Sequence, residues 1–152
     1  KVRITFNGQE LTFDLVKSSF TKTIQIPGDI KTGKHDINVF IEDEFGNTGS
    51  FDLSILIEPK QSGIEISKEK ESYYPGDIVR VTPILRDQAG DIVEHELTIR
   101  VITPNNKEVL IDKITSNNPF EFTLLSNALP GVWVIEVSSD DLTERMNIPV
   151  NE

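Results

Sequence analysis

The chain has 152 residues, of which 37% are hydrophobic, and 25 Asp and Glu oppose 15 Lys and Arg for a formal charge of −10. This acidic balance argues against nucleic-acid binding, because phosphate contacts require clustered Lys and Arg. There is no Cys, which excludes disulfides, thiolate nucleophiles and Cys-ligated zinc or iron–sulfur centres. The apolar runs are too short to span a bilayer, so we do not expect the chain itself to be transmembrane.

Period-2 alternation dominates the first sixty residues and predicts five strands. Within residues 4–13, two alternating runs flank Asn7-Gly8, the residue pair that favours a tight hairpin turn. A third run over residues 20–26 predicts an isolated strand that ends at a Pro-Gly pair. A second hairpin is predicted between residues 33 and 57.

A short polar segment over residues 58–63 contains Pro59 and Gly63 and predicts a linker between two domains, 1–59 and 60–152. Beyond it, alternation and regularly spaced turn residues predict seven short strands. Such a pattern is typical of an antiparallel β-sandwich. The predicted strands lie near residues 64–67, 78–86, 96–103, 108–114, 120–125, 132–138 and 142–150.

A motif of the form G-x-x-x-I-x-V-x-x-x-D-x-x-G-N follows the first hairpin. It begins at Gly33, includes Ile37 and Asp43, and ends at Gly46-Asn47. This stretch resembles the final hairpin of prokaryotic extracellular immunoglobulin-like domains. Such domains carry further strands ahead of their Asn-Gly hairpin, so the resemblance implies that the domain over residues 1–59 lacks its first strands.

The second domain contains the patterns Y-x-P-G-[DE]-x-V near Tyr73 and L-x-D-x-x-G-x-x-V from Leu85 to Val93, and Leu129-Pro130-Gly131 leads into a strand with Trp133. It resembles an immunoglobulin-like or macroglobulin-like module. Together the two resemblances imply an all-β fold of two tandem antiparallel immunoglobulin-like β-sandwiches, the first incomplete at its N-terminus. These patterns indicate a fold far more than a function.

We predict no catalytic, cofactor-binding or metal-binding residue. His35 and His95 fall in different domains among polar neighbours, which favours solvated histidines over ligands. Without Cys or a second nearby His, a zinc or copper site lacks its preferred ligands. No Gly-x-Ser-x-Gly motif supports a Ser/His/Asp triad.

Three acidic loops allow two interpretations. The favoured one is turn capping, in which an Asp accepts backbone N–H bonds while a Gly takes positive φ. The other is calcium binding, but calcium requires six to eight oxygen ligands and a short loop supplies about half of them. The residues in question are Asp43, Glu44 and Asn47; Asp87 and Asp91; and Asp140 and Asp141.

Trp133, Tyr73, Tyr74 and Phe122 could form a sugar-stacking platform. However, Trp133 shares its strand parity with Ile135 and Val137, which favours a place in the core.

The function predicted from these features is a non-enzymatic structural, spacer or adhesion segment of a larger prokaryotic, extracellular or cell-surface protein, with an archaeal source as one option. Its partners would be other domains of the same protein or neighbouring surface proteins. Two alternatives stay open: an accessory module of an extracellular polysaccharidase or protease, and a carbohydrate- or protein-binding module. The missing strands also raise the option that another chain supplies a strand to the first domain.

Overall fold

A computed structural model describes all residues from 1 to 152 and contains only strands, turns and irregular segments. The chain divides into two compact units, Lys1–Pro59 (unit 1) and Lys60–Glu152 (unit 2). The structure contains no helix with the length and apolar character needed to cross a membrane.

Unit 1 is a four-stranded antiparallel sheet in the order β2-β1-β3-β4. The central strand β1 is the most buried, because Val2, Ile4 and Phe6 point to one face and are at most 5% exposed. Asn7 and Gly8 both have positive φ, 46° and 75°, which confirms the predicted hairpin turn. The strands are β1 (Val2–Phe6), β2 (Gln9–Phe13), β3 (Gly33–Glu42) and β4 (Thr48–Ile57).

The strand predicted over residues 20–26 is wrong, and unit 1 has four strands instead of five. Alternation specifies which side chains share a face, but a strand also needs a neighbouring backbone to pair with. No backbone hydrogen bond joins this segment to any other part of the chain. It lies beside the sheet, with the ring of Phe20 edge-on to Phe13 at 5.1 Å.

Unit 2 contains two antiparallel sheets, in the orders β11-β10-β7-β8 and β5-β6-β9. All seven predicted strands form. The predicted linker was too long, since residues 61–63 already belong to β5, where the Ser62 hydroxyl donates to the Asp87 carbonyl at 2.6 Å. The strands are β5 (Gln61–Lys68), β6 (Ile78–Asp87), β7 (Glu96–Ile102), β8 (Glu108–Thr115), β9 (Phe120–Thr123), β10 (Gly131–Ser139) and β11 (Leu142–Val150).

The two sheets of unit 2 bury their alternating apolar residues between them in one core. Trp133 belongs to this core, as predicted: it is 8% exposed, and its indole N–H donates to the Leu129 carbonyl at 2.8 Å. Seven strands in two antiparallel sheets, with four in one layer and three in the other, confirm the predicted all-β immunoglobulin-like class. The side chains under 2% exposed in this core are Tyr73, Leu85, Leu97, Ile99, Leu124, Ile135, Ile148, Val79, Val81, Val101 and Val137.

Candidate functional site

The loop between β3 and β4 is organised around Asp43. One carboxylate oxygen accepts the backbone N–H groups of Phe45 (2.8 Å) and Asn47 (2.9 Å), and the other accepts the Asn47 side-chain amide at 2.8 Å. The Asn47 side-chain bond, with help from the backbone bonds, lowers the pKa of Asp43. Gly46 has a φ of 82°, which only glycine adopts without strain. This geometry is the predicted turn cap.

The loop after β6 has the same construction. The carboxylate of Asp87 accepts the backbone N–H groups of Ala89 and Asp91, both at 2.9 Å, and Gly90 again has a φ of 82°. Asp87 is only 2% exposed. The carboxylate is therefore shielded from water, although Gly90 and Asp91 of the turn that it caps are exposed.

A third loop of this kind links β7 and β8; the sequence Thr103-Pro104-Asn105-Asn106 predicts a turn there, but not that Thr103 caps it. The Thr103 hydroxyl takes the place of the carboxylate and accepts the Lys107 N–H at 3.1 Å. Asn106 has the positive φ, 60°, in place of glycine. The recurring signal is an Asp or Thr followed three residues later by Gly or Asn, at the end of a strand.

No group of three or more His, Asp or Glu side chains is arranged to hold a metal ion. The carboxylates of Asp43 and Asp87 hold their own turns, while Asp140 accepts the side-chain amide of Gln61 at 2.9 Å.

The two histidines lie in different units. His35 sits on β3 with its Nε2 2.7 Å from the Lys31 carbonyl oxygen and its ring 6.3 Å from that of Phe6. His95 is exposed, with Nε2 3.8 Å from the Asp140 carboxylate. The partner of His35 is thus a backbone carbonyl and that of His95 a carboxylate.

A row of charged side chains crosses the four-stranded sheet of unit 2, and sequence reasoning missed it. Glu136 accepts hydrogen bonds from Arg145 Nε at 2.7 Å and from Arg100 at 3.1 Å. These bonds, that of Arg145 first, lower the pKa of Glu136 although its burial opposes the shift. Arg100 also lies 3.4 Å from Glu108. The register places the two arginines directly opposite Glu136, which pairwise sequence inspection cannot reveal.

Surface grooves are shallow and dispersed. One of them, about 370 Å³, is lined by Ile92, Glu94 and residues 115–118. Its Ser116 hydroxyl already accepts the buried Leu85 N–H at 2.7 Å. The four aromatic residues do not form a sugar platform, because Tyr73 and Trp133 are buried while Tyr74 is exposed by itself.

The most distinctive surface is one face of the unit 1 sheet, which remains partly open. Leu53 on β4 is 45% exposed and Phe51 is 63% exposed, although both share the face that carries the buried β1 residues. Large exposed apolar patches on a folded protein mark interaction sites. Strand parity therefore assigns these side chains to the same face as the buried β1 residues, but it does not predict that they stay exposed.

Comparisons with known proteins yield distant likenesses only. No family model matches the chain, and no curated protein matches it. Among solved structures, the adhesin InvE of Yersinia pseudotuberculosis is 14% identical with a TM-score of 0.45; the match covers 80% of this chain, which spans 40% of InvE. The amphioxus IgVJ-C2 molecule is 11% identical, with a TM-score of 0.40 and coverage of 99% of this chain and 87% of that one.

A third structure, dimeric latent PorU from Porphyromonas gingivalis, is 10% identical with a TM-score of 0.38. The match covers 80% of this chain and 12% of PorU. At these identities and TM-scores the likenesses assign neither a site nor an activity to this chain.

Proposed function

We propose that this chain is a non-enzymatic spacer segment of a larger prokaryotic protein exposed at the cell surface or secreted. The observation that carries the proposal is the path of the chain through unit 2. The polypeptide enters the sandwich at one end of its long axis and leaves at the other.

Hydrogen bonds and register define the two ends. The side-chain amide of Gln61, the first residue of β5, donates to Asp140 in the turn between β10 and β11. Val150, the last residue of β11, pairs with Gly131 at the opposite end of that hairpin. The nine residues of β11 span about 30 Å at ~3.4 Å per residue. Unit 2 therefore adds this length to any chain that contains it.

The direction of the strands supports a mechanical role. β5 and β11 both run from the Gln61 end towards the Val150 end, so tension between these points acts along the strands. The hydrogen bonds between β5 and β6 would then resist this tension all at once rather than one after another. At the far end, Tyr73 adds two bonds to β11, one to the Pro149 carbonyl and one from the Asn151 N–H, both at 2.9 Å.

The distribution of charged groups supports a non-enzymatic role. Catalytic groups with shifted pKa values sit in clefts. Two acids with lowered pKa values are Asp43, which caps a turn, and Glu136, which lies between two arginines. Both shifts favour an inert, ionised carboxylate.

The test is domain exchange in the parent protein displayed on cells. Replacing residues 60–152 with an unrelated β-sandwich of equal end-to-end length should preserve the parent's surface activity. Replacing them with a flexible Gly/Ser linker of the same residue count should reduce it, since such a linker has no fixed span. Loss of activity with the unrelated sandwich would instead indicate that unit 2 binds a specific partner.

A further inference from the structure

The four-stranded sheet of unit 2 ends at β8 on one side and at β11 on the other. Tyr73 pairs with the last residues of β11, but no strand is hydrogen-bonded along the rest of either edge. The outward N–H and C=O groups of an edge strand are a template with which a strand of another chain can pair. One acidic residue on each edge strand, Asp112 on β8 and Glu144 on β11, opposes such pairing.

Both acids occupy core-facing positions, because successive side chains of a strand point to opposite faces of the sheet. Each lies midway between two apolar residues of its own strand that pack against the core of unit 2. The flanking residues are Leu110 and Ile114 on β8, and Leu142 and Met146 on β11. A charged residue thus takes the position where the alternation calls for an apolar one.

The register places the two acids at opposite ends of one row of core-facing residues. On β8, Asp112 lies opposite Ile99, and on β11, Glu144 lies opposite Val137. Ile99 and Val137 are themselves paired, and both are 0% exposed. The row therefore changes from apolar to charged at both edges of the sheet.

The carboxylate of Glu144 also occupies a backbone N–H that faces the edge. In an antiparallel pair, the backbone groups of successive residues point alternately towards the partner strand and away from it. The Pro149 carbonyl points away from β10, since it accepts the Tyr73 N–H at 2.9 Å. Arg145, four residues earlier on β11, has the same orientation, and Glu144 accepts its N–H at 3.2 Å.

The carboxylate of Asp112 has the same role on β8. Just beyond β8, the Ser116 N–H donates to the His95 carbonyl at 2.9 Å, so the backbone groups of even-numbered residues point towards β7. The N–H of Lys113 therefore points to the edge, and Asp112 accepts it at 2.8 Å. On both edges, a donor that an added strand would need is already in use.

We propose that Asp112 and Glu144 prevent unit 2 from pairing edge to edge with a second copy of the chain. A strand added at either edge would displace a carboxylate from its backbone N–H and shield its charge from water, and both changes are unfavourable. Inward-pointing charges on edge strands are a known means of blocking such association. This role does not depend on the chain being a spacer.

The test is Asp112→Val in the intact 152-residue chain. Light scattering over a range of concentrations should show a dimer whose association constant exceeds that of the parent chain by at least about tenfold. Glu108→Val is the matched control, because Glu108 lies on the same strand but points to the outer face, beside Arg100, and it should associate no more than the parent. Equal association of the two variants, or no gain for Asp112→Val, would overturn the proposal.

Amide hydrogen exchange locates the contact in the Asp112→Val dimer. The N–H groups of Ile111 and Lys113 face the edge and should exchange more slowly as the dimer forms. The N–H of Ile114 faces β7 and should change little. Slower exchange confined to any other strand would show that the copies meet elsewhere and would contradict the proposal.

Two further variants complete the test. Asp112→Lys restores a charge at the same core-facing position and should associate no more than the parent chain. Association as strong as that of Asp112→Val would show that charge is not the barrier. Glu144→Val should also associate, with slower exchange at the Arg145 N–H, and failure to associate would refute the role of Glu144.

Discussion

Glu136 is the side chain whose environment differs most from what its sequence context suggests. It lies in an apolar strand between Ile135 and Val137, points to the opposite face from both, and is held there by two arginines. Its side chain is 11% exposed, so its hydrogen bonds to charged donors are weakly screened. The ion-pair row therefore stabilises the outer face of a sheet whose other face forms the core.

We expect Glu136→Gln to lower the free energy of unfolding by about 2 kcal/mol at neutral pH. The reason is that the substitution removes the negative charge of the side chain that accepts both hydrogen bonds. Chemical denaturation of the chain measures this value. Glu108→Gln, at the exposed end of the same row, is the control and should change stability by well under 1 kcal/mol. Equal losses in the two variants would contradict the assignment.

The same residue predicts a pH dependence. Folding lowers the pKa of Glu136, so its contribution to stability is present above the ordinary value of 4.5 and disappears as the pH falls through the folded-state pKa. The difference in unfolding free energy between the parent chain and Glu136→Gln should therefore shrink on acidification below that value. A difference that stays constant down to pH 2 would show that charge is not its cause.

Asp87 and Asp43 accept similar hydrogen bonds, but Asp87 is buried and Asp43 is exposed. We therefore expect their substitutions to differ in their effect on stability. Asp87→Ala should destabilise unit 2 by about 2 kcal/mol, because it removes a buried carboxylate that accepts the N–H groups of Ala89 and Asp91. Asp43→Ala should have the smaller effect, since water can replace the exposed carboxylate. Thermal unfolding of both variants gives the comparison, and a larger effect at Asp43 would contradict it.

Calcium should leave the parent chain unchanged, since both of these carboxylates already accept hydrogen bonds from their own loops. Calorimetric titration and melting curves with calcium or a chelator measure this directly. A saturable rise in melting temperature that Asp43→Ala or Asp87→Ala removes would establish calcium as a ligand.

At the scale of elements, the three loops share one backbone shape built from different residues. Their fourth position has positive φ and is glycine in two loops and Asn106 in the third. Side chains with a Cβ cost about 1–2 kcal/mol there, and Asn tolerates the conformation better than most. The loop shape is thus a property of the hairpin rather than of one motif.

Gly90→Ala should therefore destabilise unit 2 by about 1 kcal/mol, although a Cβ at this position meets no atom within 4 Å. Gly28 has equally open space at the position that a Cβ would take but no positive φ, so Gly28→Ala should be neutral or slightly stabilising. Asn106→Gly should be tolerated. Differential scanning calorimetry of the three variants tests backbone conformation against steric contact; an unchanged melting temperature for Gly90→Ala would refute the conformational explanation.

At the scale of the whole molecule, the two units differ in how much core they have. The large cluster of buried apolar residues lies entirely within residues 64–150, whereas unit 1 buries only Val2, Ile4, Phe6 and Ile30. A 60-residue domain is marginally stable even when its core is complete.

We expect residues 60–152 expressed alone to fold and unfold cooperatively, and residues 1–59 alone to remain largely unfolded. Circular dichroism and the dispersion of amide NMR signals distinguish the two states. Cooperative unfolding of the isolated 1–59 segment would show that its open sheet is sufficient for stability.

Much of this architecture could be predicted from local patterns. Alternation located every strand of unit 2, and the parity of Trp133 placed this residue in the core. In unit 1, Asn7-Gly8 specified the turn between β1 and β2. These features succeed because each depends on neighbours within a few residues along the chain. The ion-pair row could not be predicted in this way, because Arg100, Glu136 and Arg145 become neighbours only through strand register.

Residues 20–26 mark the boundary between what the sequence determined and what the tertiary structure decided. By itself, the sequence determined which side chains share a face, where the chain turns, and that a chain without Cys must rely on packing and strand pairing. Only the tertiary structure decided whether a given run becomes a strand, because backbone hydrogen bonds need a second backbone alongside. β9 has that partner in β6, whereas residues 20–26 have no such partner.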